Sequence, residues 1–96
     1  MLIVAAYDIA ITSPGGTKRL AKVAKLCSRY GQRVQNSVFE CVVDDLNFKK
    51  MQHELTLLIN PKVDSLRFYN LGNHYQRKVI HIGTKVTKDL TAPLIF

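Results

Sequence analysis

The stretch Arg33-Val34-Gln35-Asn36-Ser37-Val38-Phe39-Glu40-Cys41-Val42-Val43 decides the fold. Val34, Val38, Phe39, Val42 and Val43 are branched or aromatic, the residue types that suit a pleated, half-buried surface. Asn36-Ser37 is the one turn-like point inside the run, so it reads either as a single long strand or as a tight hairpin. The choice fixes how the elements on either side can be arranged.

Upstream, residues 2–8 form a β run that is apolar on both alternating faces, with Leu2, Val4 and Ala6 on one and Ile3, Ala5 and Tyr7 on the other. Such a strand is covered on both sides. A loop at Ser13-Pro14-Gly15-Gly16 leads to a helix predicted over about 17–30, where Leu20, Val23, Ala24, Cys27 and Tyr30 share a face. Gly31 is expected to end it in the left-handed conformation that glycine adopts most readily. Downstream, a second helix is predicted from 46 or 47 to 58, with Asp45 as N-cap, a stripe of Phe48, Met51, Leu55, Leu58 and Ile59, and a stop at Asn60-Pro61. Residues 65–71 read as a strand and residues 78–82 as a further short one, before the tail Pro93-Leu94-Ile95-Phe96.

If the deciding run is a hairpin, the order is βαββαβ plus an extra C-terminal strand, an α+β, ferredoxin-like plan. Its two right-handed crossovers put both helices on one face of an antiparallel sheet. A monomer would then leave the second apolar face of the first strand in water. The expectation is a homodimer packed through the sheet faces, with residues 1–96 as one domain and 83–96 as a tail contributing to the dimer.

Ninety-six residues, 47% of them hydrophobic, make one folded domain with a thin core rather than a disordered chain. The apolar start is short, lacks a basic leader and carries Asp8, so neither a signal peptide nor a membrane span is expected, and the protein reads as cytoplasmic. Cys27 and Cys41 fit no zinc-cage or C-x-x-C spacing and read as buried free thiols.

The formal charge is +7, and +5 of it lies in residues 1–39, where Lys18, Arg19, Lys22, Lys25, Arg29 and Arg33 face one acid, Asp8. Lys18, Lys22, Lys25 and Arg29 fall within roughly 60° on a helical wheel. A solvated helix face is the plain reading. Cations aligned without interleaved acids repel one another, however, so backbone phosphate contact is favoured, without base specificity. Asp8, at the carboxyl end of a hydrophobic strand before a glycine-containing loop, reads either as a turn cap or as a Mg²⁺ or Mn²⁺ ligand; the residues alone favour the cap. Two copies across a two-fold could share a metal. Gly15-Gly16-Thr17-Lys18 lacks P-loop spacing, and His53, His74 and His81 are scattered, with His53 expected on the exposed side of the second helix. Ser13, Ser28 and Ser37 lack a nucleophile context. Tyr30, Phe68 and Tyr69 are expected to fill the core or the dimer face.

Four segments stand in a specific order and spacing: Val4-Ala5-Ala6-Tyr7-Asp8-Ile9, Lys18-Arg19-Leu20-Ala21-Lys22-Val23-Ala24-Lys25, Tyr30-Gly31-Gln32-Arg33-Val34-Gln35-Asn36-Ser37-Val38-Phe39-Glu40 and Asp64-Ser65-Leu66-Arg67-Phe68-Tyr69. Together they resemble the Cas-two family of small CRISPR-associated nucleases, which takes part in spacer acquisition. The tail from Leu71-Gly72-Asn73 onward resembles the type I-C branch. The resemblance implies a ferredoxin-like homodimer and a metal-dependent endonuclease acting on single-stranded RNA or double-stranded DNA. It implies Asp8 as the metal-binding aspartate, with Mg²⁺ or Mn²⁺ as cofactor, and Tyr7, Arg19, Arg33 and Phe39 at the nuclease site or its nucleic acid. It also implies a second role, as a non-catalytic architectural adaptor bridging dimers of the CRISPR adaptation integrase on spacer DNA. Some members place a further acid soon after the first strand, whereas residues 10–16 here hold none. A stand-alone ribonuclease toxin of the virulence-associated protein D type shares the fold and is the third reading.

Overall fold

The computed structural model describes residues 1–83. Their order is β1 (Leu2–Asp8), α1 (Gly16–Tyr30), β2 (Gln32–Gln35), β3 (Val38–Val42), α2 (Asp45–Leu58) and β4 (Ser65–Asn70). The deciding run is therefore a hairpin, turning at Asn36-Ser37. Its two strands pair antiparallel with a register shift between Arg33 and Gln35, which leaves Val34 as a bulge.

The sheet order is β2-β3-β1-β4, with β1 antiparallel to both β3 and β4. This is the ferredoxin-like arrangement that the element order predicts. Ala5 lies opposite Phe39 and Phe68, and Ala6 opposite Val38 and Arg67, so the odd residues of β1 share one face and the even residues the other. The core forms on the odd face, where Ile3, Ala5, Tyr7, Phe39 and Cys41 meet Val23, Leu26 and Cys27 of α1 and Met51 and Leu55 of α2. Leu26, absent from the predicted stripe, is buried, whereas Leu20, Ala24 and Tyr30 pack only partly against the cluster. Phe68 joins it through an edge-on contact with Phe48, ring centres 5.5 Å apart.

Three local expectations are corrected. Gly31 is extended, at φ −164°, and is not left-handed. Glycine is required there by crowding, because a Cβ would lie 2.1 Å from the Glu40 carbonyl oxygen and 2.6 Å from Cys41 Sγ. The N-cap of α2 is Asp44, which accepts the Asn47 N–H at 2.8 Å, and Asp45 is the first helical residue. The strand expected over residues 78–82 does not form; Lys78 closes a turn, donating its backbone N–H to the Tyr75 carbonyl, and Val79, Ile80 and Ile82 are exposed without ladder partners among the described residues. Most of the expected tail, residues 84–96, lies outside the described residues.

Candidate functional site

β1 ends at Asp8, and its carboxylate is exposed at the end of the even face, across from Ser65 of β4. The rest of that face is made of Leu2, Val4, Ala6, Val38, Glu40, Val42, Arg67 and Tyr69; Leu2 is buried, and neither helix covers the others. Tyr69 is exposed and receives a hydrogen bond on its hydroxyl oxygen from Arg67 Nη1 at 3.0 Å.

Tyr7, Arg33 and Phe39, grouped with Asp8 by the resemblance, belong to the opposite face. Tyr7 and Phe39 are buried, with ring centres 6.2 Å apart. Arg33 is exposed and lies over the Phe39 ring, 5.3 Å from its centre. Burial raises the Tyr7 hydroxyl pKa, partly countered by Arg33, and that hydroxyl donates to the Asn36 carbonyl oxygen at 3.4 Å. Phe39 is 1% exposed and lies beneath the Arg33 guanidinium. Of this trio only Arg33 presents a polar group to solvent.

Arg19 differs most from expectation. Its Nε and Nη2 donate to the two oxygens of Asp64 at 2.7 and 3.2 Å, its Nη1 to the Pro14 carbonyl at 2.7 Å and its Nη2 also to Ser13 Oγ at 2.6 Å. The Asp64 side chain is completely buried, and its oxygens also accept the backbone N–H groups of Ala10 and Asn60 at 2.9 and 2.8 Å. The guanidinium holds the Asp64 carboxyl well below the usual carboxylate range, helped by the two backbone donors. Asp64, which the sequence does not single out on its own account, accepts four hydrogen bonds beside the Asp8 strand end. Its one sequence signal is the position immediately before a strand, which by itself reads as a turn.

The stripe of Lys18, Lys22, Lys25 and Arg29 is exposed along α1, opposite the buried Val23, Leu26 and Cys27. His53 is exposed on α2, as expected. Cys27 and Cys41 are buried free thiols, pushed up by burial to about 11 and about 12. At neutral pH they are protonated.

Near Asp8 the chain offers a single carboxylate, and no group of three or more His, Cys, Asp or Glu that could hold a metal ion gathers among the described residues.

The sequence profile of the family described as CRISPR associated protein Cas2 matches residues 1–79. The chain belongs to the Cas2 family. It is 58% identical over its whole length, and over the whole of the relative, to a protein of Halalkalibacterium halodurans named CRISPR-associated endonuclease Cas2. It is 49% identical to a CRISPR-associated endoribonuclease Cas2 of Rhodospirillum rubrum, covering 98% of this chain and 99% of that one. Among solved structures, Streptococcus pyogenes Cas2 is similar at TM-score 0.75 and 52% identity, covering 86% of this chain and 100% of that one. The solved relative supports the ferredoxin-like fold, and the other two carry nuclease names, endonuclease and endoribonuclease. No helix among the described residues is long and apolar enough to cross a membrane.

Proposed function

We propose that the protein is a metal-dependent endonuclease of CRISPR adaptation that hydrolyses phosphodiester bonds of RNA or double-stranded DNA as a homodimer. The observation that carries this reading is the exposed Asp8 carboxylate, which ends β1 on the sheet face that neither helix covers. Two copies apposed through that face bring two Asp8 carboxylates toward one axis. Asp8 would hold Mg²⁺ or Mn²⁺; such an ion, when bound, activates water and offsets charge on the scissile phosphate. Arg33, stacked on Phe39, and the α1 stripe hold the phosphate backbone, a contact that reads charge and not sequence. The nuclease names of the relatives support the activity.

The test is cleavage by wild type and Asp8→Asn, with RNA and duplex DNA side by side and Mg²⁺ or Mn²⁺ present. The variant is expected to lose metal-dependent cleavage by at least about 100-fold while keeping its secondary structure and oligomeric state. Undiminished cutting by Asp8→Asn removes the assignment.

The α1 stripe favours a second reading, in which the same basic surface makes the protein an architectural adaptor between duplex DNA and the adaptation integrase. Spacer acquisition that persists in Asp8→Asn but fails when the stripe is neutralised would separate this role from catalysis.

A further inference from the structure

Asp8 stands between two points fixed by one buried carboxylate. Ala10, two residues after Asp8, gives its N–H to Asp64 Oδ1, and Ser65, covalently next to Asp64, is the cross-strand partner of Asp8. Asp64 Oδ2 takes the Asn60 N–H, tying in the turn that ends α2. Arg19 completes the arrangement from α1, with four of its N–H donors engaged by Asp64, Ser13 and Pro14. Ser13 Oγ in turn donates to the Ala10 carbonyl oxygen at 2.6 Å, so the loop after Asp8 closes on itself. A Cβ on Gly16 would lie 2.2 Å from that same carbonyl oxygen, which shows how tightly the loop packs.

We propose that Arg19 and Asp64 are positioning residues for Asp8, a clasp that fixes the backbone on both sides of that carboxylate without touching nucleic acid. The inference rests on Asp8 being the reaction centre. Arg19 is a poor phosphate ligand in this setting: a phosphate would have to compete for a guanidinium already held in bidentate fashion by a desolvated carboxylate. Losing Arg19 would leave the Asp64 charge buried and unpaired, and the chain around Asp8 would relax. The roles separate cleanly, with α1 sending Lys18, Lys22, Lys25 and Arg29 outward to solvent and Arg19 inward to the clasp.

The experiment compares Arg19→Gln, Arg19→Lys and Ser13→Ala with the wild-type full chain in three measurements. They are metal-free duplex DNA binding across a salt series, Mn²⁺ affinity by titration, and cleavage kinetics in Mn²⁺. A clasp predicts that Arg19→Gln and Ser13→Ala leave the slope of log K against log salt unchanged. Neutralising the exposed stripe, in contrast, flattens it by about 0.9 for each phosphate no longer neutralised. It also predicts Mn²⁺ affinity about tenfold weaker in Arg19→Gln, the scale seen when a supporting hydrogen bond behind a metal ligand is removed. The cleavage rate falls with KM unchanged, and Arg19→Lys recovers part of both deficits because lysine reaches Asp64 but cannot also span Ser13 and Pro14. Ser13→Ala, which removes one arm only, weakens Mn²⁺ affinity and cleavage in the same direction and decides the matter if Arg19→Gln does not fold. A flattened slope with unchanged Mn²⁺ affinity makes Arg19 a phosphate ligand and overturns the proposal, as does a Ser13→Ala protein with wild-type affinity and rate. Loss of activity in Asp8→Asn alongside full activity in the Arg19 variants defeats only the clasp; full activity in Asp8→Asn defeats the reading beneath it.

Discussion

The two faces of β1 are nearly equal in hydrophobicity and opposite in use. Ile3, Ala5 and Tyr7 are sealed beneath the helices, at 0%, 0% and 5% exposure. Val4 and Ala6, the residues between them, are only half-buried, and Asp8 ends their row in solvent. The odd face holds the monomer together. The even row of β1 is apolar up to Asp8, but its sheet neighbours include Glu40, Arg67 and Tyr69, and neither helix covers it. One strand thus carries both the fold and the proposed site, and substitutions one residue apart should give different kinds of failure.

The largest expected effect comes from Ala5→Glu. The new carboxylate would lie among Phe39, Phe68 and the underside of the helices, in the sealed apolar core. Burying an unpaired charge costs several kcal/mol, comparable to the about 5–15 kcal/mol of a domain's whole stability. The expected outcome is loss of the cooperative thermal transition by circular dichroism. A well-folded Ala5→Glu protein would mean that the odd face is not the sealed one.

Ala6→Glu should behave quite differently. Ala6 is paired with Arg67 across β1 and β4, so the new carboxylate gains an opposite-charge cross-strand neighbour, a contact of about 0.2–1 kcal/mol. The chain should fold and the helical spectrum should be retained. Self-association should fail, since face-to-face packing would press two such carboxylates into an apolar interface, and light scattering should report a monomer. A dimer that survives this change is not built on the even face.

What the sequence can tell follows the range of the forces involved. The apolar periodicity of β1 and most of the α2 stripe rest on local pattern, and the structure bears them out for the odd face and for α2. The run 33–43, open between one strand and a hairpin, turns at Asn36-Ser37, and the even face of β1, expected to be covered, has neither helix over it. Gly31 is needed for a different reason from the one its position suggests: the demand comes from Glu40 and Cys41 on a neighbouring strand, which no local rule about helix ends can include. The failure of residues 78–82 to form a strand has a similar origin, since Val79, Ile80 and Ile82 have strand-forming side chains but no ladder beside them among the described residues. Arg19 groups with the exposed cations in the sequence because adjacent bases look alike along the chain. Its partner, Asp64, is 45 residues away, and only the crossover that brings β4 next to β1 joins the two. Asp8 itself is legible as an isolated acid at a strand end; the hydrogen-bonded clasp around its backbone is not.

The smallest effect belongs to the rim of the covered side. Tyr30, the last residue of α1, donates its hydroxyl to Glu54 Oε1 of α2, joining the two helices outside the apolar cluster. That carboxylate raises the Tyr30 hydroxyl to about 12. The folded value lies above the unfolded one near 10, so this link contributes fully below about pH 10 and is lost as pH rises through 12. Tyr30→Phe keeps the ring and removes the hydrogen bond, for which about 1 kcal/mol is the ordinary scale. Denaturation at pH 8 should show a lower midpoint with an unchanged slope against denaturant. Repeated at pH 9, 10, 11 and 12, the gap between wild type and variant should hold steady over the first two and then narrow. A gap of constant size to pH 12 would mean that the ring, packed partly against the core, matters more than its hydroxyl, and that the covered face is held by apolar burial out to its edge.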